Sequence, residues 1–178
     1  MDDDSILPAQ LVALARRVVE ENRALGRTIA LAESCTGGLV AAALTEIPGS
    51  SAVLDRAFVT YSNDAKTECL GVASDLIETF GAVSIASAWA MAQGALRKSR
   101  ADVAVAVSGV AGPDGGSALK PVGTVVLAKA RRDVEDEPDG DMRQLDGTTR
   151  SAIRVQAAMA VLELLLPDAL DQAGGEAP

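Results

Sequence analysis

The sequence predicts an α/β protein with three layers, in which helices cover both faces of a mostly parallel sheet and the C-terminal pair of strands is antiparallel. Short apolar runs alternate along the chain with segments whose apolar residues recur at helical spacing. Residues 102–107 are apolar almost throughout, which is typical of a strand buried on both faces. The last two strand-like segments have no helical pattern between them, and this favours an antiparallel pair.

The first half of the chain alternates helices and strands. A helix with Leu11 and Val18 on its apolar face ends near Gly26, which suits a helix C-cap. Residues 28–32 then form a buried strand, and a helix opens through Thr36, Gly37 and Gly38. The remaining elements of this half are a strand at residues 57–61, a helix that begins at residues 62–64, and a short helix at residues 76–80.

The second half begins with a long helix that starts at Ser84. The strand at residues 102–107 runs into a glycine-rich loop, and another strand follows at residues 122–130. Six of the nine residues 133–141 are acidic, so we expect a solvated hairpin tip before a strand at residues 142–145. A last apolar helix face includes Ile153 and Val161. We expect one domain over residues 1–166 and a flexible tail over residues 167–178.

Composition narrows the class of protein. The chain has 178 residues, of which 48% are hydrophobic, and this fits a single domain with a sizeable core. Its net charge of −9, without a basic stripe, disfavours nucleic-acid and anionic-membrane partners. The N-terminus has no signal-peptide pattern, and neither Cys35 nor Cys69 lies in a CxxC motif. We therefore expect a cytoplasmic protein with reduced thiols.

The chain has no histidine. Ser-His-Asp catalysis, Cys-His catalysis and the usual imidazole zinc sites are therefore excluded within it. A general base must be Lys, Tyr, Asp, Glu or a bound water. We expect neither a metal nor a cofactor.

Two polar turns follow predicted buried strands, at residues 33–38 and 108–116. Ligands of open α/β sheets bind beyond the carboxyl ends of the strands, so we expect both turns to face one crevice. Neither turn is a dinucleotide or phosphate-loop motif. In the second turn, Gly112 and Gly115 are expected to adopt backbone conformations closed to other residues, or to approach a phosphate closely.

Ser34 has two readings. It is either the N-cap of the following helix or a nucleophile, with the N–H groups that follow it stabilising an oxyanion. Lys66 is the best-placed base, because it follows the second strand, but it must then be neutral. The alternative is an ordinary exposed lysine. Tyr61 either orients Lys66, relays a proton or is a core aromatic residue.

Cys35 is the rival nucleophile, although a small buried core thiol is the favoured interpretation. Glu33 and Asp64 are structural caps or secondary charges, and nothing in their spacing selects either carboxylate as the base. Nothing in the sequence alone decides between these readings of the polar turn.

Three motifs occur in order: ESCTGG at residues 33–38, YSNDAK at residues 61–66 and SGVAGPDGG at residues 108–116. Together they resemble the CinA C-terminal-domain family, which includes bacterial nicotinamide-mononucleotide amidohydrolases. The resemblance implies a Ser/Lys amidohydrolase with Ser34 as nucleophile, Lys66 as base and Tyr61 beside them. It also implies a homodimer that acts on a small-molecule nucleotide.

The resemblance extends to substrate-binding positions. Ser51 is the second serine of PGSS, which is implicated in the family site, and Ser108 with Gly109 replaces the TG that usually opens the glycine loop. Arg150 and Arg154 keep the family's arginine spacing but lack its preceding Asp. The full set of substrate-binding residues that we expect is Cys35, Thr36, Gly37, Gly38, Ser51, Ser108, Gly109, Gly112, Gly115 and Arg150.

Two hypotheses follow. In the first, the protein is an enzyme of pyridine nucleotide salvage that converts nicotinamide mononucleotide to nicotinic acid mononucleotide and ammonia. In the second, it is a non-catalytic nucleotide- or phosphate-binding module linked to competence or the DNA-damage response, in which Ser34 is only a helix cap.

Overall fold

The computed structural model describes residues 5–132 and 139–168, and these contain six α-helices and five strands. The helices are α1 (Ala9–Ala24), α2 (Leu39–Thr45), α3 (Asn63–Leu70), α4 (Ser74–Phe80), α5 (Ile85–Arg97) and α6 (Arg150–Leu165). The strands are β1 (Ile29–Glu33), β2 (Leu54–Val59), β3 (Val103–Gly109), β4 (Thr124–Arg131) and β5 (Asp139–Gln144). None of the helices in the described part of the chain is long and apolar enough to cross a membrane.

The strands form one mixed sheet in the order β2-β1-β3-β4-β5. β1 pairs in parallel with β2 and β3, and β4 is antiparallel to both β3 and β5. The predicted α/β class and the antiparallel C-terminal pair are confirmed. Antiparallel pairing also extends to β3 and β4, because the described segment that joins them carries no helix that would return the chain for a parallel pairing.

Helices cover both faces of the sheet. On one face, α1, α2 and α6 pack on the larger side chains of β1 and β3, such as Ile29, Leu31 and Val107. On the other face, α5 and its neighbours pack on a surface that is mainly alanine: Ala30, Ala32, Ala104 and Ala106. Small side chains let the helix layer approach the sheet closely, and within that layer Gly94 of α5 packs against the end of α3. A Cβ at this position would lie 2.3 Å from the carbonyl oxygen of Leu70.

Several predicted boundaries shift. β2 begins and ends earlier than predicted, because it is a half-exposed edge strand and the chain leaves the sheet before Tyr61. β5 likewise starts at Asp139 instead of residue 142, while residues 133–138 of the predicted acidic tip lie outside the described residues.

The predicted tail lies largely outside the described residues as well, from residue 169 onward. Its first part is described, and there Asp168 Oδ2 lies 2.8 Å from Lys129 Nζ on β4. The division of the chain at residue 166 stays a prediction.

Candidate active site

The turn between β1 and α2 is built around Glu33, whose side chain is fully buried. Its carboxylate accepts hydrogen bonds from the backbone N–H groups of Gly38, Val40 and Ala41, at 3.0, 3.2 and 2.9 Å. These are donors that a helix leaves unsatisfied at its N-terminus. Of the two roles considered for Glu33, the structure shows the structural cap.

The N-cap reading of Ser34 is excluded. The N-cap residue of α2 is Gly38, with a positive φ of 89°, and Gly37 before it has a φ of 60°. Two successive left-handed residues suit glycine, since other side chains are strained there. They carry the chain from Ser34 into the helix and leave the Ser34 hydroxyl pointing elsewhere.

That hydroxyl faces Lys66. Ser62 is the N-cap of α3 and accepts a hydrogen bond from the N–H of Ala65, which places Lys66 in the first turn with only 1% of its surface exposed. Its Nζ lies 3.1 Å from Ser34 Oγ and 2.8 Å from the carbonyl oxygen of Thr60. The carbonyl oxygens of Tyr61 and Ser62 are slightly farther away, at 3.3 and 3.4 Å.

Lys66 has no ion-pair partner in the part of the chain that the structure describes. Its burial lowers the pKa of the amine, because the charged form loses its hydration. A neutral amine donates two hydrogen bonds and has one lone pair. With its N–H groups on the carbonyl oxygens, the lone pair is available to the Ser34 hydroxyl proton, and this is the arrangement that a general base requires.

Cys35 is a buried thiol. Burial raises its pKa to about 11, and the negative charge of Glu33 adds to the increase, whereas the N–H groups of Cys35 and Thr36 and the charge of Arg154 oppose it. At neutral pH it is therefore protonated, as expected for a core thiol.

A pocket of about 190 Å³ opens over these groups. Seven of the expected site residues line it, and they come from four parts of the chain: Ser34, Cys35, Tyr61, Lys66, Ser108, Gly109 and Arg150. The two polar turns thus face one crevice, as predicted. Asn63, Ala82, Val83 and Ala111 complete the wall.

Arg150, at the start of α6, bridges two sides of this pocket. Its Nη1 donates to the carbonyl oxygen of Gly112 at 2.6 Å, and its Nη2 donates to the hydroxyl oxygen of Tyr61 at 2.8 Å. Both acceptors are neutral, and within the described residues no carboxylate pairs with the guanidinium. Tyr61 is 61% exposed, so it is a rim residue whose hydroxyl contacts Arg150 and not Lys66.

Three of the expected residues do not line the pocket. Thr36, Gly37 and Gly38 belong to the turn itself, where Arg154 Nη2 donates to the carbonyl oxygen of Thr36 at 2.7 Å. The same guanidinium would lie 3.4 Å from a Cβ at position 37. Arg154 therefore fastens the turn between β1 and α2 to α6.

Three others lie off the pocket. Gly112 and Gly115 have φ values of 73° and 88°, the conformations that we expected of glycine. A Cβ on Gly112 would lie 2.5 Å from a methyl group of Val122. Ser51 precedes β2 at the opposite end of the sheet, because Leu54 pairs with the first residue of β1, and its role stays a prediction.

Four residues that line the pocket were not predicted as site residues from the sequence: Asn63, Ala82, Val83 and Ala111. Asn63 was considered only as part of a helix start, although it lies within the same motif as Tyr61 and Lys66. Ala82 and Val83 carry no chemical signal that would have selected them. In the described ranges, no group of three or more Cys, Asp or Glu side chains is placed to hold a metal ion.

The sequence is similar to known bacterial proteins. A protein of Enterobacter agglomerans named nicotinamide-nucleotide amidohydrolase PncC is 50% identical over 149 residues, which are 81% of this chain and 86% of that protein. The Escherichia coli protein of the same name is 46% identical over 157 residues, which are 88% of this chain and 93% of that protein. A putative competence-damage inducible protein of Symbiobacterium thermophilum is 54% identical over 130 residues, but these are only 29% of its length.

The fold is similar to solved structures as well. The crystal structure of the competence/damage inducible protein CihA from Agrobacterium tumefaciens superposes with a TM-score of 0.86 at 50% identity. The match covers 90% of this chain and 96% of that one. The profile of the CinA C-terminal domain matches residues 11–168. The chain belongs to the CinA C-terminal domain family.

Proposed function

We propose that this protein hydrolyses the carboxamide of nicotinamide mononucleotide to nicotinic acid mononucleotide and ammonia. The observation that carries the proposal is the 3.1 Å contact between Lys66 Nζ and Ser34 Oγ, with the lysine buried away from any carboxylate in the described part. Relatives that match most of the chain are named nicotinamide-nucleotide amidohydrolases, and this supports the choice of substrate.

The first half of the reaction forms an ester. Neutral Lys66 accepts the hydroxyl proton of Ser34, and Oγ attacks the carboxamide carbon to form a tetrahedral intermediate. The N–H groups of Cys35 and Thr36, which directly follow Ser34, are the donors for its oxyanion in this proposal, because Glu33 accepts hydrogen bonds from the N–H groups of Gly38, Val40 and Ala41. Protonated Lys66 then gives its proton to the nitrogen of the intermediate, the C–N bond breaks, and ammonia leaves. The nicotinoyl group, which still carries the ribose phosphate, remains as an ester on Ser34.

The second half returns the enzyme to its starting state. Lys66, neutral again, accepts a proton from a water molecule that attacks the ester carbon. Collapse of the second tetrahedral intermediate releases the carboxylic acid, and the lysine proton passes to Ser34 Oγ. One amide and one water are consumed for each acid and each ammonia formed.

The remaining pocket residues bind the nucleotide in this proposal. Arg150 is a cation whose hydrogen-bond partners are neutral, so its charge is available to the substrate phosphate. Ser108 and Gly109 form the wall opposite Tyr61, and Gly112 and Gly115 shape the loop that holds Arg150. We further infer a cytoplasmic homodimer, from the composition and from the family resemblance.

Ammonia release by the purified protein tests this function. Incubation with nicotinamide mononucleotide should release one ammonia for each nicotinic acid mononucleotide, and rapid acid quench should trap a nicotinoyl ester on the peptide that contains Ser34. Ser34→Ala should bind the substrate without turnover. Ser74→Ala, on the exposed surface of α4, is the matched control and should behave as wild type.

The competing hypothesis gives a different result. A binding module should retain the nucleotide in equilibrium dialysis and release no ammonia at any pH. Loss of turnover in Cys35→Ala but not in Ser34→Ala would instead assign the nucleophile to the thiol.

A further inference from the structure

The nucleophile turn presents two candidate groups side by side. Ser34 and Cys35 are both buried, and both line the pocket over Lys66. A thiol is intrinsically the stronger nucleophile once ionised. Something in the turn must therefore favour the hydroxyl.

Glu33 is the one residue of this turn that carries a formal charge. Its carboxylate binds three N–H groups of residues 38–41, so residues 34–37 form a loop closed across its base by these hydrogen bonds. The N–H of Ser34 also donates to the carbonyl oxygen of Val107 on β3, at 3.0 Å. These contacts fix the Ser34 side chain toward Lys66, 3.1 Å away.

We propose that Glu33 is a positioning residue that makes Ser34, and not Cys35, the nucleophile, by holding the turn and by opposing a second negative charge beside it. This inference rests on the proposed function. Two like charges in one water-excluded turn repel strongly, since little solvent screens them. The cations that face the thiol from the other elements are Arg154 of α6 and Lys66 of α3, and Arg154 is engaged by the carbonyl oxygen of Thr36.

The protonation state of the thiol also matters for the base. An ionised Cys35 would stabilise a proton on Lys66, and a protonated Lys66 cannot accept the proton of Ser34. Burial raises the pKa of Cys35 to about 11, with a smaller contribution from the charge of Glu33, and burial lowers the pKa of Lys66, so a neutral thiol lies beside a neutral amine. Glu33 thus acts on catalysis through Cys35 and Lys66 without touching the substrate.

Titration of the thiol tests this directly and needs no turnover. In a Cys69→Ser background, Cys35 is the single thiol, and its ionisation can be followed by the pH dependence of its alkylation rate, since the thiolate is the nucleophile. Glu33→Gln should lower the midpoint by about one pH unit or more, and Glu33→Asp, which keeps the charge, should shift it less. Asp102→Asn is the matched control, since Asp102 caps the opposite end of β1 by accepting from Thr28 N–H.

An unmoved midpoint in folded Glu33→Gln would overturn the proposal. If that variant does not fold, the Cys69→Ser protein alone decides, because a Cys35 midpoint at or below the ordinary value of about 8.5 would also overturn it. A lowered midpoint without ammonia release in any variant supports control of the thiol by Glu33 and contradicts the proposed function.

Kinetics supply the second readout. At a pH near the lowered Cys35 midpoint, we expect Glu33→Gln to reduce kcat more in the protein with Cys35 than in the Cys35→Ala protein, since only the former can form the thiolate that keeps Lys66 protonated. Equal losses in the two backgrounds would assign Glu33 a purely structural role and overturn the proposal.

Discussion

Two lysines of this protein are buried almost completely, and they have opposite surroundings. Lys129 on β4 is 3% exposed and lies 2.8 Å from the carboxylate of Asp168, beyond the end of α6. Lys66 is 1% exposed and faces carbonyl oxygens and one hydroxyl. A carboxylate stabilises the ammonium form, whereas neutral acceptors in a dry site do not compensate for lost hydration.

The comparison shows that burial alone does not make a lysine a base. Lys129 fastens the residues after α6 to the sheet, and its ion pair with Asp168 stabilises the fold. Lys66 lies beyond the carboxyl ends of β1 and β2, where no described carboxylate neutralises it, and its environment favours loss of the proton. The difference in partners, rather than in exposure, separates a structural lysine from a proposed catalytic one.

The largest expected effect is the difference in kcat between two matched variants, in which each buried lysine is replaced by arginine. Lys66→Arg should reduce kcat for nicotinamide mononucleotide by about 10²- to 10⁴-fold, because a guanidinium keeps its proton and cannot act as a base. Lys129→Arg can still pair with Asp168, and its kcat should stay near that of the wild type. Steady-state ammonia release measures both. Similar losses in both variants would contradict a basic role for Lys66.

The pH dependence of activity sharpens the distinction. Because burial lowers the pKa of Lys66, its neutral form becomes available below the ordinary lysine value of about 10.4. Activity should rise with pH through an apparent pKa under that value, which belongs to the coupled Lys66 and Ser34 pair. A profile of kcat/KM against pH measures it, and the Lys129→Arg profile should have the same midpoint. If kcat/KM did not change with pH over the range in which the protein is folded, Lys66 would not be the general base.

Removal of the Asp168 carboxylate, the partner of Lys129, should lower the stability of the fold and leave kcat unchanged. Asp168→Asn removes a charge that pairs with Lys129 and Arg131, so we expect it to lower the free energy of unfolding by about 1–2 kcal/mol, allowing for the partial exposure of Asp168. Urea denaturation measures the change. The control is Asp141→Asn, which breaks an exposed pair with Arg143 and should cost about 0.5 kcal/mol or less. A large fall in kcat for Asp168→Asn would show that the two lysine sites are coupled.

The smallest effect should come from the rim of the pocket. Tyr61→Phe removes one hydrogen bond to Arg150, which is worth about 0.5–1.5 kcal/mol, so KM should rise up to about tenfold with a smaller change in kcat. Initial rates over a range of substrate concentrations separate the two constants. If kcat fell as far as in Lys66→Arg, the Tyr61 hydroxyl would have to take part in proton transfer.

The contact between Ser34 and Lys66 could be predicted from the sequence. The residues that hold the two side chains in place could not. Ser34 and Lys66 were predicted to meet because each follows a parallel strand, and the ends of parallel strands lie at one edge of a sheet. The absence of histidine left lysine as the leading base. The first argument depends only on the order of strands and turns along the chain, and the second depends only on the amino-acid composition. Both can be read from the sequence.

The cap formed by Glu33 could not be predicted in the same way. It depends on two left-handed glycines that fold the chain back, so that one carboxylate reaches N–H groups five to eight residues ahead. Arg150 was found only through the family resemblance, since a distance of 89 residues separates it from Tyr61. The antiparallel pairing of β3 with β4 was also missed, because a long loop without a helix resembles a crossover until its path is known.

The position of α6 has a consequence for how this protein is made. Ser34 and Lys66 are translated early, yet the guanidiniums that close the pocket and secure its turn, Arg150 and Arg154, are carried by α6, more than 80 residues later in the chain. A nascent chain on the ribosome therefore contains Ser34 and Lys66 before it has a finished pocket around them. The pocket is complete only once α6, which also completes the apolar core on its face of the sheet, has left the ribosome.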